Sequence, residues 1–210
     1  MKITVIGAGN MGSAFVAQLT RAGHQVSVTA RDGDKAARVA AAHPGARAVP
    51  SAGAAAGADA VILATGYADA VSALQALGDL KGQVLIDITN PLTADYMGLT
   101  LGHDTSAAEE IAKAVPGVEL VKAFNTVFAQ VLAEGADFGN GQQASVFVAS
   151  DSERAKQTAR AIAESIGFGV IDAGGLRNAR YLEPLAGLNI YLGYGAGLGT
   201  AIAPTWIRKS

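Results

Sequence analysis

The chain predicts an α/β fold, a mostly parallel sheet wound on both faces by helices, and two observations carry that expectation. Short apolar runs alternate along the chain with segments whose apolar residues recur at helical spacing. Such alternation implies a mostly parallel sheet covered on both faces. A Gly-x-Gly-x-x-Gly stretch, Gly7, Gly9 and Gly12, joins the first run to the first helical pattern without a gap.

In order, Lys2–Ile6 reads as the first strand and Met11–Ala22 as the first helix, with Met11, Ala14, Phe15 and Leu19 on one face. Gln25–Thr29 is the second strand. Asp32, Gly33 and Asp34 look like the N-cap of a helix over Asp34–Ala42, followed by a weak strand near Arg47–Val49. The Ala/Gly tract Ser51–Asp59 suits a short helix and turn leading into a strand at Ala60–Ala64. Then come a helix at Ala68–Leu77, a strand at Gln83–Ile88, and a helix at Ser106–Ala114 opened by the capping box Ser106 to Glu109. Strands follow at Glu119–Phe124, Ser145–Ala149 and Gly169–Ile171. Ser150–Glu153 supplies N-cap chemistry for a helix over Ser152–Ile166, and a last long helix starts near Arg177.

Each glycine of the first turn has a separate physical duty. Gly7 permits the tight turn, Gly9 lets a pyrophosphate approach the backbone, and Gly12 lets helix pack on strand, with phosphates on the positive helix N-terminus. The expectation is therefore a Rossmann-type, doubly wound sheet with a small C-terminal α/β extension: a single dinucleotide-binding domain over 1–210, in which 145–210 forms a lobe. The position that would hold a ribose-binding carboxylate at the end of the second strand carries Ala30, then Arg31, with Lys35 one turn later. Guanidinium pairs with phosphate and a carboxylate there would repel it, so NADP(H) is expected over NAD(H). Asp32 lies twenty residues past Gly12 but beyond the strand, and is read as a cap.

In an open α/β sheet ligands lie outside the carboxyl ends of the strands. Three strand ends stand out. Thr65 and Gly66 are small enough for a dinucleotide to lie over the edge. Asn90 and Pro91 end a strand where proline stops the ladder, leaving the Asn90 amide free to donate and accept. Asn125 and Thr126 end the next, so that two asparagines on one edge suit the nicotinamide carboxamide and ribose.

Composition narrows the partners. With 210 residues, half of them apolar, the chain can bury one sizeable core. A net charge of −2 without a basic cluster argues against nucleic acid or an anionic membrane. Without cysteine there is no disulfide or thiolate chemistry, and His24, His43 and His103 stand singly, so no metal site is expected. No Ser/His/Asp set, reactive lysine or paired carboxylate stands out, and Asp87 and Asp172 read as strand-end or turn residues. No catalytic acid or base is expected. From Pro184 to Ile207 there is no charge, and Gly193/Gly197 and Gly195/Gly199 have small-xxx-small spacing. The five glycines, Asn189, Thr200 and Pro204 favour a helix buried in the protein or a subunit interface over a membrane span. Because the first strand starts at Lys2, a leader is not expected and a cytoplasmic location is.

The motifs GAGNMG, TAR with a following lysine, DITNPL, SAAE, KAFNT and IDAGGLRNARYLEPLAGLNI occur in the order found in NADPH-dependent reductases of the deazaflavin coenzyme F420. The chain resembles that family over nearly its whole length, and is also similar to the cytosolic reductase domain of STEAP metalloreductases. The resemblance implies an NADP(H)-dependent oxidoreductase that passes hydride between NADPH and F420 or a flavin. It places Ala8, Gly9, Asn10 and Met11 on the pyrophosphate, Ala30, Arg31 and Lys35 on the 2′-phosphate, and Asn125, Val127 and Ala129 beside the nicotinamide. It also implies a homodimer, with the glycine-rich final helices building the dimer and shaping the acceptor pocket. Where the archaeal enzymes carry a histidine, this chain has Asn125, as STEAP domains do, and only Arg177 and Arg180 are available for the acidic tail of F420. Alternatives are a STEAP-like flavin or ferric reductase, a non-catalytic NADP(H) redox sensor, and a subunit whose acceptor sits on another protein. A pyrroline-carboxylate-reductase or hydroxyacid-dehydrogenase type would need a long helical substrate domain.

Overall fold

The sheet grows from strand β1 (Lys2–Ile6), whose last four residues are buried and which pairs in parallel with a neighbour on each side. The computed structural model describes residues 1–139, 141–207 and 209. On one side of β1 lie β2 (Gln25–Thr29) and the short edge strand β3 (Ala46–Ala48). On the other lie β4 (Ala60–Leu63), β5 (Val84–Asp87) and β6 (Glu119–Lys122), giving the all-parallel order 3-2-1-4-5-6. β4 and β5 have every residue buried, as strands covered on both faces are, including Asp87 at the end of the otherwise apolar β5.

Helices α1 (Asn10–Arg21), α2 (Gly33–Ala41), α3 (Tyr67–Gln75) and α4 (Ala107–Ala114) follow β1, β2, β4 and β5. Two apolar clusters cover the two faces of the sheet. One gathers Phe15, Leu19, Ile62, Ile86, Phe124 and Phe168, the other Ile6, Leu63, Leu74, Leu85 and Ile111. Asp32 caps α2 by accepting the Lys35 N–H at 3.0 Å, as its place beyond the strand predicts. The tract at 51–57 makes hydrogen-bonded turns and no regular helix.

After β6 the chain departs from the simple alternation. It forms a six-residue helix α5 (Ala129–Glu134) and an antiparallel hairpin of β7 (Asp137–Gly139) and β8 (Gln142–Gln143), none of which the periodicity predicts. Elements this short carry less than two turns of helical pattern or two strand repeats, so periodicity has nothing to read. β9 (Ser145–Val148) and β10 (Gly169–Asp172) form their own parallel pair around α6 (Glu153–Ser165), and β9 meets β6 only through an antiparallel bridge, Lys122 to Ala149. A 3₁₀ turn at Leu176–Asn178 leads into α7 (Ala179–Ile190), which widens into a π-helical turn at Tyr191–Gly195. The chain then folds back: Ile202 and Ala203 pack on the core, and Trp206 lies edge-on to Phe147. Among the described residues no helix is long and apolar enough to cross a membrane.

Candidate functional site

The glycine turn shows its division of labour in atoms. Gly7 has φ +110°, and a Cβ there would lie 2.4 Å from the Ala64 carbonyl oxygen; its N–H instead donates to Thr29 O at 2.8 Å. A Cβ on Gly12 would lie 1.9 Å from Gly7 O, so α1 sits on the turn at a distance only glycine allows. Gly9 differs from both, for a Cβ there meets nothing within 4 Å. The protein does not need that hydrogen; a ligand against the backbone would.

Gly9 is also the N-cap of α1, and it supplies no side-chain cap while the first turn carries no acidic residue. The leading amides and the positive helix end are thus left for an anion. Gly66 stands in the same relation to α3 as N-cap without a side chain. Gly7, Gly9, Ala30, Arg31, Thr65 and Gly66 border a single cleft of about 500 Å³. Arg31 is almost fully exposed at its mouth, held 3.6 Å from Asp69, a separation and exposure that make the pair weak. Ala8 is buried behind the turn, and Lys35 is exposed outside the cleft's lining.

A second recess of about 200 Å³ lies along the same sheet edge, bordered by Met11, Asn90, Asn125, Val127, Ala129 and Tyr194 among others. The two asparagines do meet there, but the expected freedom of the Asn90 amide is corrected. Its Nδ2 donates to Asn125 O at 2.8 Å and its Oδ1 accepts from Asn125 Nδ2 at 3.0 Å. Asn125 Nδ2 also donates to Leu182 O at 2.9 Å, which occupies its donors. What is left is an acceptor: Asn125 Oδ1 is buried with no partner among the described residues. A buried amide oxygen without a donor costs free energy unless a ligand supplies one, so the recess suits a group bearing N–H. Pro91 lies buried beside the pair, outside the recess, where its carbonyl accepts the Thr100 N–H at 2.7 Å. Asn10 borders a separate surface depression with Ser13 and Gln130.

The loop carrying Asn125 turns on Phe124, which takes φ +58°, the left-handed region a bulky side chain rarely enters. Its fully buried ring fixes the turn, packing edge-on to Phe15 at 5.0 Å and to Phe168 at 6.1 Å. Asn189 of α7 then donates to Thr126 O at 3.1 Å, holding the loop from the other side.

Beneath the asparagines lies a charged cluster that sequence reasoning missed. Lys122 Nζ, fully buried, sits 2.7 Å from Asp87 Oδ2 and 2.8 Å from Glu183 Oε1, and donates to Thr89 O at 2.7 Å. Asp87 also accepts the Thr89 N–H, while Glu183 accepts the Ala107 and Ala108 N–H groups and so caps α4 from α7. Asp87 is thus more than the strand-end turn residue its position suggests. The signal available was a lysine inside the otherwise apolar run ahead of Phe124.

The capping box at Ser106 is modified: Ser106 Oγ accepts the Glu109 N–H, but the Glu109 carboxylate takes the Ser106 hydroxyl and a two-pronged contact from Arg180 at 2.7 and 2.8 Å. Those Arg180 hydrogen bonds, helped by the one from Ser106, hold the Glu109 carboxyl below the usual carboxylate range. Arg180, Arg177 and His103 border a separate cleft of about 1040 Å³. Asp172 is a turn residue, as expected, accepting the Gly174 N–H at 2.7 Å.

Strand order 3-2-1-4-5-6 puts the glycine turn at the point where the winding reverses, which makes this a Rossmann-type dinucleotide-binding fold. The family model described as NADP oxidoreductase, coenzyme F420-dependent, matches residues 2–91. An F420-dependent NADP reductase of Methanothermobacter marburgensis is 32% identical over 211 residues, covering 91% of this chain and 92% of that one. Rat metalloreductase STEAP3 is 31% identical over 185 residues, covering 88% of this chain, which spans 36% of that protein's length. The solved structure of a proposed F420-dependent NADP reductase from Arthrobacter sp. FB24 superposes with a TM-score of 0.87 at 30% identity, covering 99% of this chain and all of that one. The chain belongs to the F420-dependent NADP reductase family of oxidoreductases.

Proposed function

We propose that this chain binds NADPH along the sheet edge and passes its hydride to F420 or a flavin. The observation that carries the reading is the pairing, on one edge, of an uncapped helix behind an open Gly9 with a recess whose Asn125 oxygen lacks a donor. In this reading Gly9, Asn10, Met11 and Gly12 present main-chain N–H groups to the pyrophosphate. Arg31, with Ala30 making room and Lys35 adding charge, takes the 2′-phosphate, which would draw Arg31 away from Asp69. Thr65 and Gly66 floor the groove. Asn90, steadied by Pro91, holds Asn125 in place, and the Asn125 oxygen accepts from the carboxamide. Val127 and Ala129 line the ring's pocket. The bound nucleotide supplies the hydride from its nicotinamide ring. The chain's contribution is to orient that ring against the acceptor and exclude water, which calls for no protein acid or base at carbon.

Residues 145–210 form the acceptor lobe in the same proposal; Arg208 and Ser210 lie outside the described residues. The exposed stripe Tyr181, Pro184 and Leu188 along α7, continued by Tyr191 in the π-helical turn, carries no charge, and supports a homodimer joined through it. Leu188→Glu should then yield a monomer by sedimentation. A cytoplasmic site of action belongs to the same reading.

The test is to mix the protein with NADPH and, separately, F420, FMN, FAD, flavin with a ferric chelate, and quinones, following nicotinamide absorbance. Oxidation with F420 or a flavin is expected; binding without oxidation by any acceptor replaces the reductase reading with a redox sensor. Arg31→Ala should weaken NADPH by roughly tenfold relative to NADH. Equal loss for both nucleotides sinks the 2′-phosphate assignment.

A further inference from the structure

We infer that the buried cluster of Asp87, Lys122 and Glu183 biases the bound nucleotide toward its oxidised form. This inference rests on the nicotinamide lying in the asparagine recess, as in the proposed function. The cluster sets two carboxylates around one ammonium, so its formal charge is −1, and all three side chains are at most 3% exposed.

The cluster is linked to the residues of the recess at three points along the chain, and none of its side chains borders the recess. Lys122 Nζ bonds Thr89 O, one residue before Asn90; Lys122 stands three residues before Asn125; and Glu183 follows Leu182, whose carbonyl holds the Asn125 amide. Consecutive Cα atoms are about 3.8 Å apart, and Asp87, Lys122 and Glu183 each stand within three residues of one that borders the recess, so their backbone lies within roughly 11 Å of it, and the three side chains are themselves buried. The nicotinamide ring is neutral in NADPH and carries a positive charge in NADP⁺. A fixed negative charge beneath it favours the cation over the neutral ring, and so favours release of hydride.

Both carboxylates are equipped to stay in place as neighbours. Asp87 takes the Thr89 N–H, and Glu183 takes two N–H groups at the positive end of α4. A single carboxylate would have balanced Lys122; the second adds charge. Among the described residues no charged side chain borders the recess. None of the three contacts the ring, so they act as positioning residues, on charge through the asparagine pair and on the loop through α7.

The test is the ratio of NADP⁺ to NADPH dissociation constants, measured by calorimetry on the full chain for wild type, Glu183→Gln and Asp87→Asn. Each substitution keeps the shape and removes one negative charge. Either variant that folds should weaken NADP⁺ relative to NADPH by roughly tenfold, equivalent to about a 30 mV rise in the bound couple's potential. A ratio unchanged in both, with the two forms losing affinity together, would overturn the inference and leave the cluster a purely structural brace. If neither variant folds, wild type alone decides: NADP⁺ should bind more tightly than NADPH, and equal or weaker binding also overturns the inference. Failure of wild type to bind either nucleotide instead removes the reading on which the inference rests.

Discussion

The two ends of the sheet edge are built in opposite ways. At the glycine turn, three residues within six positions set the geometry, Gly12 against Gly7 and Gly7 against Ala64 of the neighbouring strand's end. At the asparagine recess, four segments far apart in sequence converge: 87–90, 122–128, 182–194 and the Phe15 face of α1. The first end rests on a short motif seated against only β2 and β4, through Thr29 and Ala64. The second exists only once α7 has docked. Damage should therefore stay local at one end and spread at the other.

The sharpest way to break that contrast is within the glycine turn. Gly12→Ala drives a methyl into a carbonyl oxygen and should cost upwards of about 3 kcal/mol by urea unfolding. Gly9→Ala, only three residues earlier, should change stability by about 1 kcal/mol or less, while weakening NADPH by roughly tenfold or more. If both lose stability equally, Gly9 is structural and the cradle is misplaced. At the other end, Lys122→Met leaves two buried carboxylates facing each other and should cost about 3–5 kcal/mol. Because the cluster ties α7 to β5 and β6, hydrogen exchange in that variant should rise in α7 and at Asn125–Val127 before it rises in α2. An even rise would show that the two ends are not separable.

The smallest effect is at Glu109. Its folded pKa is depressed, chiefly by the Arg180 hydrogen bonds, so its contribution is present above the ordinary glutamate pKa and is lost as pH falls through the lower folded value. Glu109→Gln should lower stability slightly at neutral pH, leave it unchanged in acid below the folded pKa of Glu109, and so flatten the acid limb of a stability-pH profile. An acid limb identical to wild type would remove the pair from any role in holding α7 on α4.

The same contrast explains which features are legible in the sequence. β1, β2 and their helices are visible as short β-branched runs and 3.6-residue spacing, and Asp32 reads as a cap because the strand pattern ends before it. The preference for NADP(H) is read from Ala30 and Arg31, immediately past the end of β2. The mutual Asn90–Asn125 hydrogen bonds, the Glu183 cap on α4 and the left-handed Phe124 have no periodic signature, because each depends on a partner at least 35 residues off or on a ring cluster. A sequence shows that an asparagine sits at a strand end; it does not show whether its amide is already engaged. Lys122 could have been singled out, since a lysine inside a buried strand needs a counter-charge, but its two partners lie 35 and 61 residues away on opposite sides in sequence.

The left-handed turn at Phe124 has one more consequence. Its ring is clasped by Phe15 from the first helix and Phe168 from the lobe, so the conformation is settled when the core closes and waits for no ligand. On the proposed reading, in which this loop holds the nicotinamide, a loop set in this way loses little entropy when it is filled. It should admit its guest as a rigid socket does, with an association rate that tracks viscosity and charge, and without a slow isomerisation behind it.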